Sequence, residues 1–193
     1  MAEMTILIAP LCSGSQVSAA EPPTQSIPAH PVPAPGQPAP LFSAAKFNGG
    51  ALSLQSLRGH VVLLNFWSSA CPPCRIEMPE LEKIQRRHAG RGLRVIGVTE
   101  MDPPRDQVRD FLERTGVTYP VLLDPGGRIG SLYALEAHPT SIVIDARGIV
   151  RYTNVGFLKG EEKEIERAVV EALRTAGGRR GQAGAPGAGE GKP

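Results

Sequence analysis

Residues 61–79 read VVLLNFWSSACPPCRIEMP, and this stretch decides the fold. The run Val61 to Phe66 is apolar except for Asn65, which suits a strand covered on both faces. Trp67 ends the run, a short polar turn follows, and Cys71 and Cys74 open what reads as a helix to about His88. Positions three apart on a helix are neighbours, so the two sulfurs can close a disulfide without large backbone movement. At a helix start, first-turn amides point toward Cys71, and their partial positive charge favours the thiolate. The thiolate is the attacking species in thiol–disulfide exchange, and in Cys-x-x-Cys helices its pKa falls below the free value of about 8.5. Cys71 is therefore the expected nucleophile and Cys74 the resolving thiol. Pro72 and Pro73 cost nothing at a helix start, where their missing N–H groups are not needed, and they stiffen the link between the thiols.

Other chemistries fit this pair less well. A structural zinc site takes four ligands, and no second Cys/His pair follows at recognisable spacing. Haem attachment places a histidine directly after the second cysteine, where this chain has Arg75. An inert buried pair or a plain structural disulfide is the bland alternative.

The segment NFWSSACPPCRIEMP resembles the active site of the thioredoxin fold. Within that fold it is similar to the thiol–disulfide oxidoreductases of the TlpA/ResA type, which are AhpC/TSA-related redoxins, over about residues 41 to 175. One departure stands out. Such proteins carry a second tryptophan directly before the first cysteine, as an apolar lid beside the nucleophile, and this chain has Ala70. The resemblance implies an α/β fold: a central mixed sheet flanked by helices, with an N-terminal hairpin ending in a step like Leu57-Arg58-Gly59. It also implies a cis proline at Pro139, opposite the disulfide, where bent backbone aligns an extended partner peptide with Cys71. Trp67 belongs to the same active-site segment. An acidic residue follows the second central strand in the family. Glu100 takes that place, either as a proton acceptor for Cys74 or as a solvated loop acid. His138 either stabilises the Cys71 thiolate as an imidazolium or simply lines the groove. Glu77 reads as a helix-side salt bridge and His88 as a surface cap.

The rest of the chain follows an α/β order. Leu41 to Gly59 suggests a hairpin and one helical turn around Gly49-Gly50. In the first helix Ile76, Leu81 and Ile84 are expected on the buried side, with a kink at Pro79. Strands are expected at Leu93–Thr99, Tyr119–Leu123, Ser141–Ile144 and Ile149–Val155, with helices at Asp106–Thr115 and Glu161–Ala176. Arg128–Leu135 reads as a short helical or extended connection.

Both ends differ in composition from this body. Residues 1–20 resemble a degraded or truncated export signal: an apolar run from Thr5 to Leu11, then small residues ending Ala19-Ala20, but no basic residue in front. Removal of this leader takes Cys12 with it. Residues 21–40 contain eight prolines and read as an extended linker. The domain is expected at 41–176, and residues 177–193 as a Gly-rich basic tail. No 18-residue apolar span occurs in the sequence. The formal charge of +2 and the mixing of Lys and Arg with acids give no nucleic-acid footprint. The cluster Lys83, Arg86, Arg87, Arg91 and Arg94 reads as a solvated helix face.

The expected function is two-electron exchange with protein dithiols or disulfides, with no metal, flavin or nicotinamide and no other cofactor. The resemblance implies a reductase for exported, periplasmic proteins such as those of cytochrome c maturation, recharged by an upstream membrane thiol reductant; the sequence does not fix the oligomeric state, and a monomer is expected. The alternative location is the cytoplasm. The alternative functions are a Cu(I) metallochaperone, using two soft thiolates, and a thiol peroxidase, for which the Pro-x-x-x-Thr-x-x-Cys setting is absent.

Overall fold

The computed structural model describes residues 32–100 and 104–180. The expected leader with Cys12, the linker as far as residue 31, Met101 and Asp102, and the tail from residue 181 lie outside the described residues, as does the side chain of Glu100.

Two short strands, β1 (Ser43–Ala45) and β2 (Ala51–Ser53), pair antiparallel as the expected hairpin, and a 3-10 turn over Leu54–Leu57 follows. The body then runs β3 (Val61–Trp67), α1 (Pro72–His88), β4 (Leu93–Glu100), α2 (Arg105–Thr115), β5 (Val121–Asp124), α3 (Arg128–Leu132), β6 (Thr140–Ile144), β7 (Val150–Val155) and α4 (Glu162–Arg180). These strands form one mixed sheet in the order β5-β4-β3-β6-β7. β3 pairs parallel with β4 and antiparallel with β6, so the strand that leads to the cysteines is central. Every residue of β3 is buried, as its apolar run requires.

Side chains alternate across a strand, and this divides the core. Val61, Leu63 and Trp67 face one layer with Met78, Leu81 and Ile84 of α1, Phe111 of α2, and Ile165 and Val169 of α4. Val62, Leu64 and Phe66 face the other, with Ile129, Tyr133, Phe42 and Leu54. Each fully buried Val, Leu or Phe contributes about 1.5–3 kcal/mol, so the alternation fixes the register of β3. The same alternation turns Asn65, a polar residue, into the α1 layer.

Both edges of the sheet are covered. On β5, Phe47 N–H donates to Val121 O at 2.8 Å, and Lys46 bridges Leu122. On β7, residues 33–39 lie alongside as a strap. Gly36 N–H donates to Val150 O, Val150 N–H to Gln37 O, and Ala39 N–H to Gly148 O, all at 2.8–2.9 Å. Thr153 Oγ1 reaches Pro33 O at 3.4 Å. The end of the proline-rich stretch is thus part of the folded body rather than linker. Proline cannot donate to a ladder but its carbonyl accepts, and it suits an outermost strand.

Other boundaries move slightly. Tyr119 and Pro120 precede β5, where Pro120 O accepts from Gly97 N–H at 2.9 Å. Glu100 is the last residue of β4, opposite Asp124. The last helix continues to Arg180, past the expected end at Ala176. Pro79 lies within α1, which continues through it to His88. Ile76 is 53% exposed, on the solvent side of α1. His88 is buried rather than a surface cap, its Nε2 2.7 Å from Glu166 Oε1 on α4. Arg87 joins the same carboxylate through two 2.8 Å bonds.

Candidate active site

The site forms where β3 ends and α1 begins. Ser68 O accepts from Cys71 N–H at 3.1 Å, and Ser68 Oγ accepts from Ala70 N–H at 3.3 Å, closing the turn. Cys71 is the N-cap of α1, with Pro72 and Pro73 in the first two helical positions. Neither proline has an N–H, so the first amide the helix offers is that of Cys74. It donates to Cys71 Sγ at 3.2 Å. The expected group of first-turn amides therefore narrows to one, with the helix dipole behind it.

Cys71 and Cys74 are joined in a disulfide with Cα atoms 5.4 Å apart. Cys71 is 9% exposed and Cys74 is wholly buried, so what exposure the pair has belongs to Cys71. Trp67, also wholly buried, stacks on Phe111 with ring centroids 4.7 Å apart and planes 18° apart. The Arg75 guanidinium lies over the other part of this stack, 5.9 Å from the Phe111 centroid, and donates to Ser69 O at 3.4 Å. Beside the exposed Ala70, a cation on an aromatic pair thus braces the cysteine turn.

The His138–Pro139 peptide is cis. Thr140, the next residue, pairs with Phe66 at the end of β3, which places Pro139 at the same edge of the sheet as the cysteine turn. Pro139 O accepts from Gly156 N–H at 2.7 Å, tying this turn to the end of β7. Pro139 is buried and His138 half-buried. Glu100 follows Thr99, the register partner of Trp67, so its backbone reaches the same edge.

Glu77 departs furthest from expectation. It is wholly buried, one helical turn after Cys74, and its partners are strand side chains in place of the expected helix-side salt bridge. Asn65 Nδ2 donates to Glu77 Oε2 at 2.6 Å, and Ser141 Oγ donates to Oε1 at 2.9 Å. Burial pushes its pKa up to about 7, against the lowering effect of the Ser141 and Asn65 hydrogen bonds, with a further rise from Glu161. A carboxyl poised near neutrality, three residues from Cys74, can take and return a proton. Two signals in the sequence point to it: the stripe Cys74, Glu77, Met78, Leu81 at helical spacing, and the polar Asn65 within an apolar strand. Among the described residues no group of three or more His, Cys, Asp or Glu could hold a metal ion.

The model of the AhpC/TSA family matches residues 35–153. The chain belongs to that family. Within AhpC/TSA it is 39% identical over 131 residues to the thioredoxin-like protein YneN of Bacillus subtilis, covering 67% of this chain and 76% of YneN. It is 32% identical over 129 residues to the thiol-disulfide oxidoreductase ResA of Bacillus thuringiensis, covering 67% and 74%. A crystal structure of a thiol:disulfide interchange protein of Chlorobium tepidum matches with a TM-score of 0.63 at 32% identity, covering 72% of this chain and 98% of that one. The thioredoxin-like fold read from the sequence is the observed one. A Cys-x-x-Cys pair at bonding distance in this AhpC/TSA fold supports enzymatic thiol–disulfide exchange.

Proposed function

We propose that this chain is a protein-disulfide reductase acting on exported proteins, with Cys71 as nucleophile and Cys74 as resolving thiol. The observation that carries the reading is the asymmetry of one disulfide: Cys71 is accessible and accepts an amide hydrogen bond, while Cys74 is enclosed beside Glu77. In the reduced protein the Cys71 thiolate attacks a partner disulfide, forming a mixed disulfide and expelling one partner thiolate, which takes up a proton. Cys74 then loses its proton to the Glu77 carboxylate and attacks Cys71 Sγ. The mixed bond breaks, the second partner thiol leaves, and two electrons have passed to the partner. A membrane-linked thiol reductant restores the dithiol.

Pro139 offers main chain to an extended partner segment, and Trp67, Pro72 and Pro73 hold the cysteine turn rigid. His138 lines the groove, and Glu100 stands at its edge. The family resemblance extends the reading to haem-binding cysteines of cytochromes c as partners. The export-like residues 1–20 support a periplasmic location.

Insulin reduction by the wild type, C71A and C74A, with a glutathione titration of the active-site couple, tests the assignment. C71A is expected to abolish turnover and C74A to accumulate mixed disulfides. Full activity in C71A overturns the reading.

A further inference from the structure

In the core layer that holds Cys71, Cys74 and Trp67 lies a buried polar group to which the exchange steps above give no part, the phenol of Tyr119. The residue is 5% exposed and its hydroxyl has no hydrogen-bond partner among the described residues. An unpaired buried hydroxyl costs about 1–3 kcal/mol, and phenylalanine fills the same volume without that cost. Such a group calls for an explanation in what it faces.

The ring is held from three sides. Glu82 on α1 accepts from Thr118 N–H at 2.9 Å and from Thr118 Oγ1 at 2.7 Å, which pins the preceding residue. The following residue, Pro120, is tied to Gly97 on β4. Gly97 itself makes room: a Cβ there would lie 3.3 Å from Tyr119 Cε2 and 3.0 Å from Trp67 Nε1. Gly97 is the register partner of Asn65, the residue that holds Glu77. Asn65 Oδ1 and Trp67 Nε1 also lack partners among the described residues. Three unpaired polar atoms therefore gather around the strand position that faces the Asn65–Glu77 pair. Burial drives the Tyr119 phenol well above its ordinary pKa, and the charges of Glu77 and then Glu82 push it further.

We propose that Tyr119 is a positioning residue for the exchange reaction, its hydroxyl dipole setting how readily Glu77 gives up its proton. This rests on Glu77 being the proton acceptor for Cys74. The other groups that bear on Glu77 are Cys74 on its own helix, Asn65 from β3, Ser141 from β6 and Glu161 ahead of α4. From β4 the described residues of this face are Leu93, Val95, Gly97 and Thr99, none of them charged. Of the groups that are not hydrogen-bonded to Glu77, Tyr119 is the one whose polar atom can be removed without changing shape.

The test follows the Glu77 carboxyl carbon by NMR in the oxidised full chain, labelled with 13C-glutamate, with E77Q assigning the signal. In Y119F the Glu77 midpoint is expected to rise by about 0.5 or more in pKa, about a threefold gain in proton affinity. The pH at which the mixed disulfide resolves at half its maximal rate is expected to move with it. A midpoint within about 0.2 of the wild type overturns the proposal. If Y119F fails to fold, 13C-tyrosine in the wild type reads the same coupling. The Tyr119 Cζ signal is expected to inflect at the Glu77 midpoint and to lose that inflection in E77Q, and a flat Cζ titration in the wild type overturns the proposal. The two readings fail separately. An unmoved midpoint in Y119F, with C71A inactive, removes the role of Tyr119 alone, whereas an active C71A removes the exchange assignment.

Discussion

Asn65 Nδ2 donates to Glu77 Oε2 across 2.6 Å, in a place where neither side chain meets solvent. A strand amide and a helix carboxyl are thereby joined directly under the redox pair. The bond favours the charged carboxylate while burial opposes it, and burial is the larger effect. The outcome is a group that changes state near neutral pH.

Replacing that group by its amide keeps its shape and removes its proton chemistry. E77Q is expected to slow resolution of the mixed disulfide on the order of 10²-fold near neutral pH. It is also expected to erase the inflection near pH 7 from the rate profile. The first attack by Cys71 is expected to stay close to the wild-type rate. Stopped-flow measurement with a partner peptide separates the two steps, and equal slowing of both contradicts the assignment.

Glu77 also links stability to pH. Its folded pKa, about 7, lies above the unfolded value of 4.5, so between these limits the folded state binds more protons. Its contribution is complete below about pH 4.5 and is lost as pH rises through 7. The loss amounts to about 3 kcal/mol at most, from 1.36 kcal/mol per pKa unit. Urea denaturation of the oxidised protein between pH 5 and pH 8 is expected to show this decline, and E77Q to flatten it.

Gly97 is expected to tolerate no side chain. A methyl group there would meet Trp67 Nε1 at 3.0 Å and both Tyr119 Cε2 and Val121 Cγ2 at 3.3 Å. Gly97→Ala is expected to cost about 1–3 kcal/mol through overpacking. Chemical denaturation measures that cost, and a neutral result contradicts the packing described for this face.

Trp67 is the single tryptophan of the sequence. It lies under the cysteine turn and stacks on Phe111. Its emission is expected to change when dithiothreitol opens the disulfide, giving a direct signal for glutathione titration. Phe111→Ala removes the stacking partner and is expected to destabilise the fold by about 3–5 kcal/mol. Emission that ignores the redox state contradicts the placement of Trp67.

The strap on β7 is expected to act as an edge guard. A chain beginning at residue 41 loses the three hydrogen bonds from residues 36–39 to Gly148 and Val150. Bare strand edges recruit other strands. Such a truncation is expected to lower the midpoint of unfolding and to self-associate in light scattering, while the longer chain does not.

The fold and the redox pair were legible because they rest on strong local signals. An apolar run with one polar break gave β3, and Cys71-Pro72-Pro73-Cys74 gave the start of α1. Glu77 was misread because an acid on a helix is usually solvated, and only the distant residues Asn65 and Ser141 make a buried position tolerable. Ile76 was misplaced for the converse reason: it lies off the stripe of Cys74, Met78 and Leu81, although its type suggests burial. The strap could not be read at all, since proline-rich composition does not tell a free linker from one that pairs through its carbonyls. Tyr119 looked like an ordinary strand residue because its interest lies in what its hydroxyl lacks.

The course of that strap has a directional consequence. Gln37 meets β7 at Val150, the end remote from the cysteines, whereas Pro33 meets it at Thr153, two residues before Val155, the partner of Thr140 beside Pro139. Followed backward, the backbone climbs the flank of the domain and departs toward its reactive end. Residue 32, where the described chain starts, therefore belongs to the cysteine-bearing half of the domain and not to the opposite rim.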